Sequence, residues 1–251
     1  MNNLKISIIT SVWNNRETIR DAIESVIGES YDNIEYIVVD SASDDGTVEI
    51  VENYSNKVSI FVSEKDKGIY DGLNRGLALA TGDVIAFLHS DDIYASNTII
   101  EDVIKVFENN DSIDGIYGDL VYTSKVDINK VLRYWKSKEF DSKLLSKGWM
   151  PAHPTLFLRR EVYEKYGNFN LTFKIAADYD FMLRILNGGI KVKYLSKVLY
   201  KMRVGGESNK SIKNIIKKSK EDLQALKENE IGGIFTLVIK NLSKITQFIE
   251  K

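Results

Sequence analysis

Short apolar runs alternate with helical stripes through the first 123 residues. Ile6–Val12 is an unbroken β-rich run. Ile19, Ala22, Ile23, Val26 and Ile27 follow at the i, i+3, i+4, i+7 spacing of an amphipathic helix. Ile34–Val39 is a second run, ending in Asp40. The polar turn Ser41–Gly46 leads into a helix over Thr47–Tyr54. Val58–Ser63, a helix over Ile69–Ala80 and the run Val84–Leu88 repeat the alternation. Thr98 followed by Glu101 predicts a capping box ahead of Ile100, Val103, Ile104 and Phe107, and Ile116–Thr123 is a fifth strand. This order predicts an α/β fold, a mainly parallel Rossmann-like sheet with helices on both faces.

The second half is less regular. Val131–Trp135 and Thr155–Leu158 read as strands, Glu161–Tyr166 as a short helix, and Ala177–Leu186 as a helix with Asp178 and Asp180 in its first turn. From Lys191 to Lys220 the chain carries ten basic residues and one acidic one, Glu207. A C-terminal helical tail follows, with an apolar stripe at Ile234, Val238, Leu242, Ile245 and Ile249, and with Lys240 and Lys244 off it. The stripe has two readings: binding anionic lipid, or packing against this domain or a second copy of the chain.

Composition narrows the classes. The chain has 251 residues, 43% of them hydrophobic, enough for one sizeable core. A formal net charge of −2 gives no reason to expect nucleic-acid binding. Without cysteine there are no disulfides or thiolate metal sites, and His89 and His153 alone cannot build a zinc site made mainly of histidine. No apolar h-region precedes Lys5, and no apolar run approaches the ~20 residues of a membrane span. The expectation is a soluble or peripheral cytoplasmic protein.

Ligands of open α/β sheets sit at the carboxyl ends of the strands. Here those ends carry Thr10 to Trp13, Asp40 to Asp45, Ser63 to Lys67 and His89 to Asp92. Two adjacent carboxylates in Ser90-Asp91-Asp92 repel unless something compensates, and a divalent cation bound through oxygen would do so; a solvated capping loop is the other reading. Asp40 suits a ribose or a base N–H, or else a turn. Asp178 could be a general base, but as a residue of a helix first turn it reads first as a cap. His153 could touch phosphate or acceptor, or serve as a structural residue between two prolines. No Gly-x-Gly-x-x-Gly and no Walker A sequence is present.

Together these pieces resemble the family 2 glycosyltransferases, which have the GT-A fold, over roughly residues 4–208. Ile6 to Asn14 looks like the family's first strand and nucleotide loop. Ile37 to Thr47 looks like its second strand, with Asp40 as the residue that contacts uracil. Asp66-Lys67-Gly68-Ile69-Tyr70-Asp71-Gly72-Leu73-Asn74-Arg75-Gly76 looks like the helix entry that approaches the nucleotide, and Gly82 to Asp92 like the DXD region. His153-Pro154-Thr155-Leu156-Phe157, Ala176-Ala177-Asp178-Tyr179-Asp180 and Arg203-Val204-Gly205-Gly206-Glu207-Ser208 resemble bacterial members that build O-antigen, capsule or exopolysaccharide units.

The resemblance implies an inverting hexosyltransferase moving sugar from a UDP-sugar to a hydroxyl of a glycan acceptor carried on polyprenyl diphosphate, at the inner face of the cytoplasmic membrane. It makes Asp178 the catalytic base. It gives donor contacts to Thr10, Trp13, Asp40, Lys67, Gly68, Asp71, Arg75, Ser90 and Asp91, and acceptor or diphosphate contacts to His153, Asp180 and Arg203. The implied cofactor is Mn²⁺ or Mg²⁺. His89 stands where many relatives have Asp or Asn, which leaves Asp92 as the direct metal ligand and Asp91 beside it, on ribose or metal-bound water. The implied division is a GT-A domain over 1–208, with a nucleotide half at 1–123 and an acceptor half at 124–208, and a basic amphipathic tail over 209–251. Two other classes stay open: a sugar-1-phosphate nucleotidyltransferase, whose Gly-rich N-terminal loop Ser11 to Arg16 does not supply, and a non-catalytic sugar-nucleotide-binding partner.

Overall fold

A computed structural model describes residues 3–205 and 212–246. Strands β1 (Ile6–Val12), β2 (Ile34–Asp40), β3 (Ile60–Ser63) and β4 (Val84–Phe87) alternate with helices α1 (Ile19–Ile27), α2 (Thr47–Glu52) and α3 (Ile69–Leu79). A two-residue strand β5 (Ile93–Tyr94), helix α4 (Ile99–Glu108), β6 (Gly115–Thr123), β7 (Val131–Trp135) and β8 (Phe157–Arg159) follow. Helices α5 (Arg160–Tyr166) and α6 (Ala177–Asn187), strand β9 (Val192–Arg203) and helices α7 (Ile212–Glu228) and α8 (Ile234–Thr246) complete the order. Two 3₁₀ turns, Ser142–Lys147 and His153–Thr155, lie between β7 and β8.

All nine strands join one sheet in the order β3-β2-β1-β4-β8-β6-β9-β5, with β7 beside β6. The β3-β2-β1-β4 half is parallel, as the alternation predicts. β8 then inserts antiparallel between β4 and β6, and β9 runs parallel to β6. Side chains alternate across the sheet with period two. Ile6 and Ile8 face the core under α1, α2 and α4, whereas Ile9, Ile37 and Phe87 face the core under α3, α5 and α6. Helices therefore cover both faces.

α3 lies unusually close to β1. A Cβ on Gly72 would meet Ser11 Oγ at 2.3 Å, and one on Gly76 would meet Ile9 Cγ2 at the same distance. The i, i+4 glycine pair lets the helix backbone settle on the strand and brings its N-terminus to the strand ends.

The capping box expected at Thr98 and Glu101 does not form. Thr98 makes no side-chain cap; its hydroxyl turns to Asp102 (3.2 Å), and Glu101 pairs with Lys105 and Ser30. The Ile100 amide instead donates to Glu29, at the end of α1 (3.0 Å). A partner distant in sequence performs the local duty.

The tail helices pack on the domain. α7 lies along α6, and α8 lies against α7 and the Ser142–Lys147 turn. Lys240, expected off the stripe, is buried and pairs with buried Asp222 of α7 at 2.8 Å. The stripe itself points outward: Ile234, Val238 and Leu242 are exposed, and Phe235 joins them at 78% exposure. Packing of this stripe on its own domain is thereby ruled out for those three positions. Gly206, Glu207, Ser208 and Ile249 lie outside the described residues.

Candidate active site

Parallel register sets the strand ends level. Val12 pairs with Asp40, Asp40 with Ser63, and Ile9 with Phe87. The turns that follow open along one edge. Just beyond β1, Trp13 stands exposed and Asn14 takes a left-handed φ of 46°. Asn14 exchanges hydrogen bonds with Asp44 (3.0 Å), and Asn15 donates to Ser90 Oγ (2.9 Å) while the Thr18 hydroxyl donates to the Ser90 carbonyl (3.0 Å). This loop is the brace of the acidic turn. Asn15 and Thr18 escaped the sequence reading because their partner lies some 70 positions away.

Several expected donor contacts turn inward. Thr10 is fully buried, its hydroxyl donating to the Leu88 carbonyl (2.7 Å) and paired with Tyr36 (3.1 Å). Asp40 is fully buried as well, accepting from the Ser43 amide (2.9 Å), the Ser43 hydroxyl (2.5 Å) and the Ser63 hydroxyl (2.7 Å). Its carboxylate shapes the 40–46 turn through these three bonds. Lys67 and Gly68 remain exposed at the entry to α3. Asp71 accepts from the Lys67 amide (3.0 Å), and Arg75 pairs with Glu64 (3.6 Å).

Asp178 lies half-buried at the start of α6. Its Oδ1 accepts from the Tyr70 hydroxyl of α3 at 2.9 Å. Burial alone would raise its pKa, but His153, Lys218 of α7, the Tyr70 hydroxyl and the Tyr179 amide outweigh it, and the net shift is downward. His153, however, is held down to about 4 by its own burial, with Asp178 pulling it up and His89 pushing it further down. At pH 7 that imidazole is neutral, so Lys218 and the two hydrogen-bond donors keep Asp178 ionised. His153 stacks on Phe87 (ring centroids 6.0 Å apart) and meets Phe169 edge-on. His153 responds to both Asp178 and His89 and stacks on Phe87, the last residue of β4, so it stands between the start of α6 and the acidic turn.

Within that turn, His89, Ser90 and Asp91 are half-buried, and Asp92 is fully buried. Asp92 Oδ1 accepts the Arg203 amide (3.1 Å), while its Oδ2 has no hydrogen-bond partner among the described residues. Burial first, and then the Asp91 charge, drive the Asp92 pKa well up. Arg203, expected near a diphosphate, is itself buried: its guanidinium donates to the Asp91 carbonyl (2.6 Å) and pairs with Asp21. It is a brace for the turn. Asp180 is likewise structural, bonded to Arg184 (3.2 Å) and Asn229 (3.0 Å).

The donor set can be tested against a metal. Among the described residues no three His, Asp or Glu side chains come together as a cage. The turn offers one half-exposed carboxylate, Asp91, beside a sealed one. That fits Mg²⁺ or Mn²⁺, which keep waters and take further ligands from a diphosphate; it does not fit structural zinc.

Comparison with known proteins bears on the fold and the family. The family model described as "Glycosyl transferase family 2" matches residues 7–167. A "PGL/p-HBAD biosynthesis glycosyltransferase" of Mycobacterium bovis (strain BCG) is 28% identical over 209 residues, covering 81% of this chain and 78% of the relative. Residues 1–349 of S. aureus TarS in complex with UDP superpose with a TM-score of 0.66 at 20% identity, over 89% of this chain and 65% of that one. The mannosyltransferase PcManGT from Pyrobaculum calidifontis, in complex with GDP-Man and Mn²⁺, gives a TM-score of 0.67 at 20% identity, over 90% of this chain and 64% of that one. The chain thus spans a little under two thirds of each of these two solved structures, and 40% of the longer TarS chain.

Proposed function

The chain belongs to glycosyl transferase family 2, and from that premise we propose that it is an inverting enzyme that moves a hexose from a UDP-sugar to a hydroxyl of a glycan acceptor in bacterial surface-polysaccharide synthesis. The observation that carries this reading is the carboxylate of Asp178, held by Tyr70 and felt by His153, which itself stacks on Phe87 two residues before the turn His89–Asp92. Asp178 takes the proton of the acceptor hydroxyl. The hydroxyl oxygen attacks the anomeric carbon from the face opposite the nucleotide. The bond from that carbon to the diphosphate oxygen breaks, and its electron pair leaves with UDP, so configuration inverts. Asp91 would hold Mn²⁺ or Mg²⁺, which neutralises charge on the departing diphosphate. His153, stacked on Phe87 and edge-on to Phe169, would line the side of the site nearest the base. Exposed Trp13 is placed to stack on the base of the nucleotide.

A thermal-shift panel of UDP-, GDP- and TDP-sugars, each with and without Mn²⁺, tests the donor. Stabilisation follows affinity for the folded state, so a ligand at 100 times its Kd adds about 2.7 kcal/mol. A UDP-sugar with Mn²⁺ is expected to give the largest rise in melting temperature. A larger rise with GDP-sugars reassigns the donor, and no rise with any of them refutes donor binding.

The acceptor in this reading is carried on polyprenyl diphosphate. The support is the outward stripe Ile234, Phe235, Val238 and Leu242 of α8, together with the exposed lysines Lys213, Lys217 and Lys220 of α7, the helix it packs against. No helix among the described residues is long and apolar enough to cross a membrane. The double variant Phe235→Ser, Val238→Ser should lose co-sedimentation with vesicles containing anionic lipid while keeping its melting temperature, because both side chains are already exposed. Undiminished co-sedimentation would sink the membrane contact.

A further inference from the structure

The N-terminus of α6 poses a problem that Asp178 does not solve. A helix begins with amide groups that lack intrahelical partners, and an acidic residue in the first turn is their usual companion. The residue at the cap position, Ala176, has no side chain able to accept them. The three amides of Lys174, Ile175 and Ala176 converge instead on a single oxygen of Glu221, at 2.9, 2.7 and 3.0 Å. Glu221 is buried and belongs to α7, far along the chain. From the opposite side the Tyr70 hydroxyl spans the Ile175 carbonyl (2.8 Å) and the Asp178 carboxylate. The segment before Asp178 is therefore clamped between α7 and α3.

We infer that Glu221 is a positioning residue for the transfer reaction: it takes over the capping of α6 and so leaves the Asp178 carboxylate free to face the acceptor. The proposal rests on the reading of Asp178 as the base. With Glu221 removed, the three amides are vacant, and Asp178, two residues beyond Ala176 in the first turn of α6, carries a carboxylate able to accept one of them. Recruited as a cap, Asp178 would withdraw from the acceptor hydroxyl. The groups acting on it are Tyr70 from α3, His153 from the 3₁₀ turn and Lys218 from α7, while Glu221 acts on Tyr70 and pairs with Lys217 at 4.0 Å. The new amide bonds would favour its ionised form.

The test compares Glu221→Ala with Glu221→Gln, which is neutral but still accepts hydrogen bonds. The readouts are the Asp178 ¹³Cγ resonance in aspartate-labelled protein, assigned by its disappearance in Asp178→Asn, and UDP release from UDP-glucose, UDP-galactose and UDP-N-acetylglucosamine with water as acceptor. In Glu221→Ala the resonance should move and its titration midpoint fall by about one pH unit. UDP release should drop about 10- to 100-fold, with donor KM within about twofold. Glu221→Gln should retain most of the rate and the resonance position. In an Asp178→Asn background, Glu221→Ala should cost nothing further. An unmoved Asp178 resonance in folded Glu221→Ala overturns the proposal, as does an equal loss in both Glu221 variants or the same loss repeated in the Asp178→Asn background. If instead Asp178→Asn alone turns over like the wild type while the resonance moves as expected, the base assignment fails and the positioning contact stands.

Discussion

Asp178→Asn is expected to lower sugar transfer by about 10²- to 10⁴-fold, the range supplied by a positioned general base, while UDP binding stays within about twofold. The substitution is nearly isosteric. The Asn carbonyl can still accept from Tyr70, and Glu221 still caps the helix, so neither the fold nor the donor side has reason to change. Only the capacity to take a proton is lost. Turnover measured by UDP release and affinity measured by calorimetry separate the two terms. Wild-type turnover in the variant would remove Asp178 from the mechanism. The downward pKa of Asp178 adds a second mark. Its ionised form persists below the ordinary carboxylate value, so the rate should hold steady as pH falls from 8 toward 5.

The acidic turn gives the other large effect, and its two carboxylates should part company. Asp91→Asn is expected to lower the metal-dependent rate by about 10²- to 10³-fold and to abolish the Mn²⁺-dependent part of the thermal shift with a UDP-sugar. Asp92→Asn should keep both. Asp92 is sealed from solvent and its working contact is the Arg203 amide, which an Asn oxygen can accept equally well. The measurement is Mn²⁺ titration of activity and of melting temperature in each variant. The reverse outcome, with metal response lost at residue 92 and kept at 91, would return ligation to Asp92.

Much of the scaffold was legible because the first half of the chain obeys simple periods. Ile6–Val12 and Ile34–Asp40 are β-rich runs dominated by Ile and Val, and β1 and β2 fill them. The placement of β9 was hidden. Its lysines 193, 197 and 201 made Val192–Arg203 read as part of a basic stretch, although Lys197 is drawn to Asp102 and the strand lies between β6 and β5. At the site, sequence located the right turns but could not tell which way a side chain faces. Thr10, Asp40, Asp180 and Arg203 have the right chemistry at the right ends, and tertiary partners turn each of them inward. Tyr70, Lys218 and Glu221 carried no local signal. Their roles exist only once α3, α6 and α7 meet. Asp178 was ambiguous between cap and base for the same reason: the residue that takes the cap is on another helix.

The antiparallel insertion of β8 has a consequence for the making of the protein. During synthesis β1, β2, β3 and β4 can pair as soon as they emerge, but the outer edge of β4 is closed only by Phe157–Arg159. Until then Val84-Ile85-Ala86-Phe87, apolar and uncharged, offers bare amides and carbonyls to any neighbouring strand. At ordinary elongation speeds that exposure lasts on the order of several seconds. A fragment ending near Thr123 would keep the edge open for good. The first half of this chain has the strand and helix alternation of a nucleotide-binding module, yet as an isolated piece it should pair with itself through that edge and precipitate.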